Sequence, residues 1–311
     1  MELQTVVNIE KPDFKIGYGI QIMMLGSCFV ENIGEKLSDL KFKVDVNPCG
    51  IVYNPVSVAN TLQMLLEGKR FTEHDLLQNN GLWVSLSHHG RFSDRELQGC
   101  LCKINDQLEV SAKRLKETNV LVITWGTSWV YRWRQNGRIV SNCHKFPATD
   151  FERFRLSVEE IVEMYSALLV RLKEMNPGMK VLFTVSPIRH WKDGAHGNQL
   201  SKAVLLLAQD RLRELFDFVS YFPSYEIVMD ELRDYRFYAE DMLHISSQGV
   251  NYIWEKFKDL YFSPATLQLM KRVDKLNKIL LHRPAAPDSE ATRNLRQQAE
   301  EELRKLIAGI K

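Results

Sequence analysis

The chain has 311 residues, 45% of them hydrophobic and 26% charged, with a net charge of +2. Those proportions fit a globular chain able to bury a substantial core. Lys and Arg are scattered rather than gathered into a basic stripe, which argues against a nucleic-acid partner. No apolar run approaches the roughly 20 residues of a membrane span. The opening residues lack the basic-then-apolar pattern of a signal peptide. Five cysteines with no C-x-x-C pair fit reduced thiols better than a disulfide framework or a zinc finger. A cytoplasmic protein without cofactor or metal and with no membrane association is therefore expected.

Short apolar runs alternate with amphipathic helical stretches. Ile20 to Leu25 is an apolar run ending at Gly26-Ser27, after which Phe29, Ile33 and Leu37 fall on one helical stripe. Phe42 to Val46 is strand-like and stops at the turn-rich Asn47-Pro48-Cys49-Gly50,. Pro55 opens a helix through Val58, Leu62 and Leu65, and a polar helix over 94–117 leads into Val120 to Thr124, the strongest strand pattern in the chain. Gln135-Asn136-Gly137 between Trp129–Arg134 and Arg138–Cys143 predicts a hairpin,. A helix over Val158 to Glu174, a strand at Lys180 to Val185, a helix over Gln199 to Leu215 and a strand at Phe216 to Tyr221 complete the alternation. Strands separated by helical crossovers predict a mostly parallel sheet covered by helices on both faces.

The segment 263–311 differs. Leu269, Val273, Leu276 and Leu280 form one stripe, Arg283 to Pro287 breaks it, and Leu295, Ala299, Leu303 and Leu306 form a second. It is read as a helical extension appended to a domain over 1–262, packing on that domain or joining two copies into a homo-oligomer.

Ligands of parallel sheets bind beyond the carboxyl ends of the strands, which selects the loops starting at Gly26, Asn47, Gly126 and Ser186. Ser27 lies at a strand-to-helix junction, where a hydroxyl projects from the sheet edge and helix-start N–H groups can face an oxyanion. A serine there is also a preferred helix N-cap. Asp241-Met242-Leu243-His244 precedes a helix starting near Ser246 or Ser247. A carboxylate three residues before a histidine can bond one ring nitrogen and leave the other facing a nucleophile, although the same tetrapeptide also fits a surface turn. His89, Asn142, His144, Arg189 and His190 lie on or near the same loops and are candidate substrate-binding residues, Arg189 as a clamp for an anion. No histidine spacing favours a metal. In the hairpin, Trp129, Tyr131 and Trp133 alternate onto one face, which either stacks on sugar rings or is buried.

Taken together, the stretches LGSCFVENIGEKL, NPCGIVYNP, WGTSWVY, SNCHKFPA, SPIRHWKDG and DMLHISSQGV, spread over residues 25–250, resemble the GSCFA-domain branch of the SGNH (GDSL-like) hydrolase superfamily. The name motif differs only by Val30 in place of alanine. The resemblance implies a three-layer α/β/α flavodoxin-like fold in which Ser27 is the nucleophile, His244 the general base and Asp241 its orienting carboxylate. The N–H groups of Ser27 and Gly50 would form the oxyanion hole. It further implies hydrolysis or transfer of ester-linked acyl groups, often acetyl groups on carbohydrates, so a small-molecule or carbohydrate ester is the expected substrate. The superfamily's Gly-x-Asn-Asp block is replaced here by Gly126-Thr127-Ser128-Trp129. That leaves Thr127, Ser128 or Asn142 as the substitute donor. Two other readings stay open: a non-catalytic glycan- or ligand-binding module on a hydrolase fold, and an interaction protein working through its C-terminal helices.

Overall fold

The computed structural model describes residues 4–282 and 289–309. In chain order the main elements are β1 (Gln21–Gly26), α1 (Cys28–Asp39), β2 (Lys43–Val46), α2 (Pro55–Glu67), β3 (Leu77–Asn79), β4 (Leu82–Val84), α3 (Leu97–Glu117) and β5 (Val120–Trp125). They continue with β6 (Trp129–Trp133), β7 (Ile139–Val140), β8 (Phe151–Arg155), α4 (Val158–Met175), β9 (Lys180–Val185), α5 (Gly194–Leu215) and β10 (Val219–Tyr221). After the short α6 (Ser224–Glu226) come α7 (Ser247–Tyr261), α8 (Pro264–Leu281) and α9 (Glu290–Ala308).

The central sheet has the order β2-β1-β5-β9-β10 with every neighbouring pair parallel. This is the flavodoxin-like order, with its topological switch point between β1 and β5. All six residues of β5 are buried, because helices cover both faces, and the side chains divide between those faces with period 2. Met23, Leu25, Leu121, Ile123 and Trp125 pack against α2, α3, α4 and α5. Ile22, Met24, Val120, Val122 and Leu182 pack against α1, α7, α8 and α9. The C-terminal helices thus share a core with the sheet, through Met270, Val273 and Leu276 of α8 and Ala299 and Leu303 of α9. The expected break over Arg283 to Pro287 lies outside the described residues.

Helix starts follow their sequence signals. The Asn54 side chain accepts from Ser57 N–H ahead of Pro55, Ser157 and Glu160 form a capping box, and Ser246 caps α7,. The Asn136-Gly137 hairpin forms, with Tyr131 paired to Val140 and Arg132 to Ile139. Its second strand is only two residues long, however, and β8 adds a third, antiparallel to β6. Within this small sheet Trp133 is buried against Phe146 and Phe151. The Arg153 guanidinium lies over the rings of Trp129 and Tyr131, so the aromatic stripe is largely covered by its own sheet. A further hairpin, β3–β4, turns at Asn80-Gly81, where both residues have positive φ.

Candidate active site

Ser27 stands at the switch point, immediately after β1. The preceding Gly26 has φ +141°, and a Cβ there would lie 2.1 Å from the Thr124 carbonyl oxygen; only glycine lets β1 leave the sheet this close to β5. Ser27 occupies the N-cap position of α1, yet its side chain makes no capping bond. The residue is 1% exposed, and its Oγ has no hydrogen-bond partner among the described residues. A buried hydroxyl left unpaired costs about 1–3 kcal/mol, so this one is not explained as a cap.

Asp241 and His244 meet as their spacing predicts. Asp241 Oδ2 lies 2.5 Å from His244 Nδ1, while Oδ1 accepts the N–H groups of Leu243 and His244 at 3.0 and 2.9 Å. Met242 takes a positive φ to close this turn, and the His244 carbonyl accepts from Ala239 N–H. The hydrogen bond to His244, followed by those to the two backbone N–H groups, holds the Asp241 carboxyl down at about 2. With Nδ1 against the carboxylate, Nε2 is the ring nitrogen of His244 left for another partner. The pair is half exposed, and Ser27 Oγ makes no hydrogen bond to it.

The imidazole beside Ser27 is that of His190. A Cβ built on Gly126 would meet His190 Nε2 at 3.1 Å, the Tyr53 carbonyl oxygen at 3.2 Å and Ser27 Cβ at 3.5 Å, so these groups converge on one point. Asn198 Oδ1 accepts the His190 backbone N–H at 3.0 Å, and the ring stands edge-on to Tyr53. Burial first, and then the charge of Lys202, push the His190 pKa down to about 4, and His244 acts in the same direction. His190 is therefore neutral at pH 7 and lies within electrostatic reach of His244.

Lys202, which the sequence reading passed over, is 1% exposed. Its Nζ donates to the carbonyl oxygens of Gly126 (2.7 Å) and Ser186 (2.6 Å), tying the ends of β5 and β9 together. No carboxylate among the described residues pairs with it, and burial lowers its pKa to about 7. Asn198, Ser201, Lys202 and Leu205 share the buried face of α5; polar residues on an otherwise apolar stripe were the available signal.

The expected oxyanion donors are engaged elsewhere. Ser27 N–H donates to Thr124 O at 3.3 Å and Gly50 N–H to Asn47 O at 2.7 Å. The hydroxyls of Thr127 and Ser128 both meet Ser201 Oγ at 3.1 Å. Asn142 Oδ1 accepts the His144 N–H, and His144 Nε2 donates to the carbonyls of Ser85 and His88; these two residues fasten the hairpin to the 85–88 loop. His89 packs against Gly50, where an added Cβ would meet the His89 Cβ at 2.1 Å. Cys28 is partly buried, which raises its thiol pKa and disfavours the thiolate. Among the described residues no three His, Cys, Asp or Glu side chains gather to hold a metal, and no helix is long and apolar enough to cross a membrane.

The GSCFA family pattern matches residues 21–257. No curated protein matches the chain. Among solved structures, it is similar to a family 3 carbohydrate esterase from Clostridium thermocellum, at 11% identity over 81% of this chain and 97% of the other, with a TM-score of 0.37. A family 3 carbohydrate esterase from Talaromyces cellulolyticus aligns at 10% identity over 81% and 98% of the two chains, TM-score 0.38. The periplasmic domain of a lipopolysaccharide acetyltransferase from Salmonella ser. Paratyphi A aligns at 8% identity over 78% and 84%, TM-score 0.36.

Proposed function

The chain belongs to the GSCFA family, and on that premise we propose that it is a serine hydrolase of ester bonds, acting through an acyl-enzyme on Ser27. The observation that carries this reading is a buried hydroxyl with no partner, set at the switch point of a parallel sheet. In the proposed reaction His244 Nε2 takes the Ser27 proton as Oγ bonds to the ester carbonyl carbon. Asp241 holds the imidazole in the productive tautomer and stabilises the imidazolium. The carbon–oxygen bond to the alcohol then breaks, and the imidazolium returns the proton to the departing alkoxide. Water, or an acceptor hydroxyl in a transferase, enters by the same steps in reverse. Neutral His190, with Nε2 protonated, supplies a donor to the carbonyl oxygen where the superfamily's Asn is missing. The Ser27 N–H, whose 3.3 Å bond to Thr124 is long, is the second donor. A carbohydrate or other small-molecule ester is the proposed substrate.

The rival reading, a ligand-binding module without turnover, is favoured by the engagement of Gly50 N–H and of the Thr127 and Ser128 hydroxyls. A fluorophosphonate probe separates the two. Labelling at Ser27 is expected, with loss in Ser27→Ala and a fall of about 10³-fold or more in His244→Ala. Ser27→Ala should also be as stable as the wild type or up to about 1 kcal/mol more stable, because it removes an unpaired buried hydroxyl. Folded protein that stays unlabelled between pH 6 and 9 would overturn the hydrolase reading.

A further inference from the structure

Beside the Asp241–His244 turn lies a cleft of about 470 Å³, lined among others by Arg189, Trp191, Tyr235, Tyr238 and Met242. Ligand sites of small molecules commonly enclose roughly 300–1,000 Å³, so the volume suits a monosaccharide-sized group. Three of its walls are unusually bare for apolar side chains, Trp191 at 52%, Tyr235 at 74% and Met242 at 53% exposure. Flat rings held open in a concave surface offer a face for a ring-shaped ligand.

The charges of the cleft are the more informative feature. Arg233 pairs with Asp230 at 3.1 Å, Asp234 with Arg236 at 2.8 Å and Asp241 with His244 at 2.5 Å. Arg189 has no carboxylate partner among the described residues. Its Nε is buried without a hydrogen bond, and the one contact of its Nη2 is the Met229 sulfur at 3.3 Å, a weak acceptor. A guanidinium fork so placed, with Arg233 and Asp234 of the same lining already paired, is set to receive a planar or tetrahedral oxyanion. Asp241, Met242 and Leu243, in the turn that carries His244, line the same cleft, so an anion bound here lies beside that turn.

We propose that Arg189 and the aromatic rings of this cleft bind an anionic group, a carboxylate or a phosphate, carried on the ring-bearing part of the substrate. This rests on the serine-hydrolase reading of the adjoining site and adds that the ester acted on is negatively charged beside the scissile bond. The cleft therefore selects an acylated sugar acid or sugar phosphate over its neutral counterpart.

The test uses the full chain carrying Ser27→Ala, so that binding is read without turnover, with D-glucuronate, D-glucose 6-phosphate and methyl glucoside as ligands in calorimetric titrations. At least one anion should bind about 10-fold or more tightly than the neutral sugar, as hydrogen bonds to a charged partner require. The preferred anion tells carboxylate from phosphate. Adding Arg189→Gln should bring the anion to within about 2-fold of methyl glucoside, while Arg189→Lys keeps part of the preference because it retains charge without the fork. Arg233→Gln, in the same cleft but already paired with Asp230, should leave the preference unchanged. Equal binding of all three ligands, no binding of either anion, or a preference that survives Arg189→Gln overturns the proposal. If Arg189→Gln fails to fold, Arg189→Lys decides: a preference undiminished by the loss of the fork overturns it. Since binding is measured in an inert variant, absence of fluorophosphonate labelling would defeat the hydrolase reading without touching this result. The converse holds equally.

Discussion

Replacing Lys202 with methionine tests the electrostatics beneath the site most directly. The side chain is buried, its ammonium donates to the carbonyls of Gly126 and Ser186 and lies over the Tyr225 ring, and its pKa falls from 10.5 to about 7. Between those two values the unfolded chain holds a proton on Lys202 that the folded chain has released. Stability attributable to this group therefore rises with pH across that window, by up to about 1.4 kcal/mol per pH unit. From pH 7.5 to 9.5 the gain should be roughly 2–3 kcal/mol. Buried thiols and phenols such as Cys49 and Tyr165, whose pKa values are raised by burial, oppose this trend at the alkaline end. They are present in both proteins and cancel in the comparison. Urea denaturation of wild type and Lys202→Met at pH 7.5, 8.5 and 9.5 should show the wild type gaining on the variant at each step. A stability difference that stays constant over this range would refute the reasoning. It would mean that the two carbonyls suffice to keep the ammonium charged inside the fold.

Two further outcomes follow from the same neighbourhood. Gly50→Ala should destabilise the protein by about 2–4 kcal/mol, because the residue has φ +84° and the new Cβ would meet His89 Cβ at 2.1 Å; a thermal melt unchanged from wild type would contradict that geometry. His190 and His88 have pKa values lowered to about 4 and about 3, chiefly by burial. Below an unfolded value near 6.5 the unfolded chain binds protons that these imidazoles refuse, so stability is lost as the pH falls from about 6.5 toward 4. In His190→Gln that loss should be smaller, and the wild-type His190 resonances should not titrate above about pH 5; a midpoint near 6.5 would place the ring in water.

The place of Ser27 at a strand-to-helix junction could be read from sequence because the signal is local: an apolar run, a glycine and a helical stripe. The Asp241–His244 hydrogen bond could be read because three residues separate them, and the turn that joins them is closed by Asp241 itself. The parallel character of the sheet followed from the alternation of strands and crossovers, while its flavodoxin-like order was implied only by the family resemblance. What could not be read depends on residues distant in the chain. Thr127 and Ser128 look like free hydroxyls until Ser201, more than seventy residues later, arrives from α5 and bonds both. Gly50 N–H looks available until the positive φ of Asn47 turns the Asn47 carbonyl onto it. The β8 strand, Phe-Glu-Arg-Phe-Arg, carries too many charges to resemble a buried strand, because arginine stems and guanidinium planes cover aromatic rings there in place of aliphatic side chains. The β3–β4 hairpin, by contrast, carried a legible Asn-Gly signal that the chain-order reading passed over.

In the proposed reaction, the same long-range placements bear on how a site lacking the usual asparagine would stabilise negative charge. Lys202 lies below Gly126 and Arg189 directly precedes His190, and neither cation has a carboxylate partner among the described residues. Arg189, and Lys202 to the extent that it holds its proton, raise the local potential, and in a partly buried setting such charges act more strongly than they do in water. Burial first, and then Lys202 and Arg153, lower the tendency of His190 to take a proton; in the proposed reaction this would keep it a neutral donor instead of a competitor for the proton that His244 would accept. On this view the two imidazoles are distinguished by their surroundings. His190 is buried, which keeps it neutral, while His244 is half exposed with its Nδ1 against the Asp241 carboxylate. Exchanging those surroundings, by removing the Asp241 carboxylate in Asp241→Asn, should therefore impair turnover far more than it impairs folding.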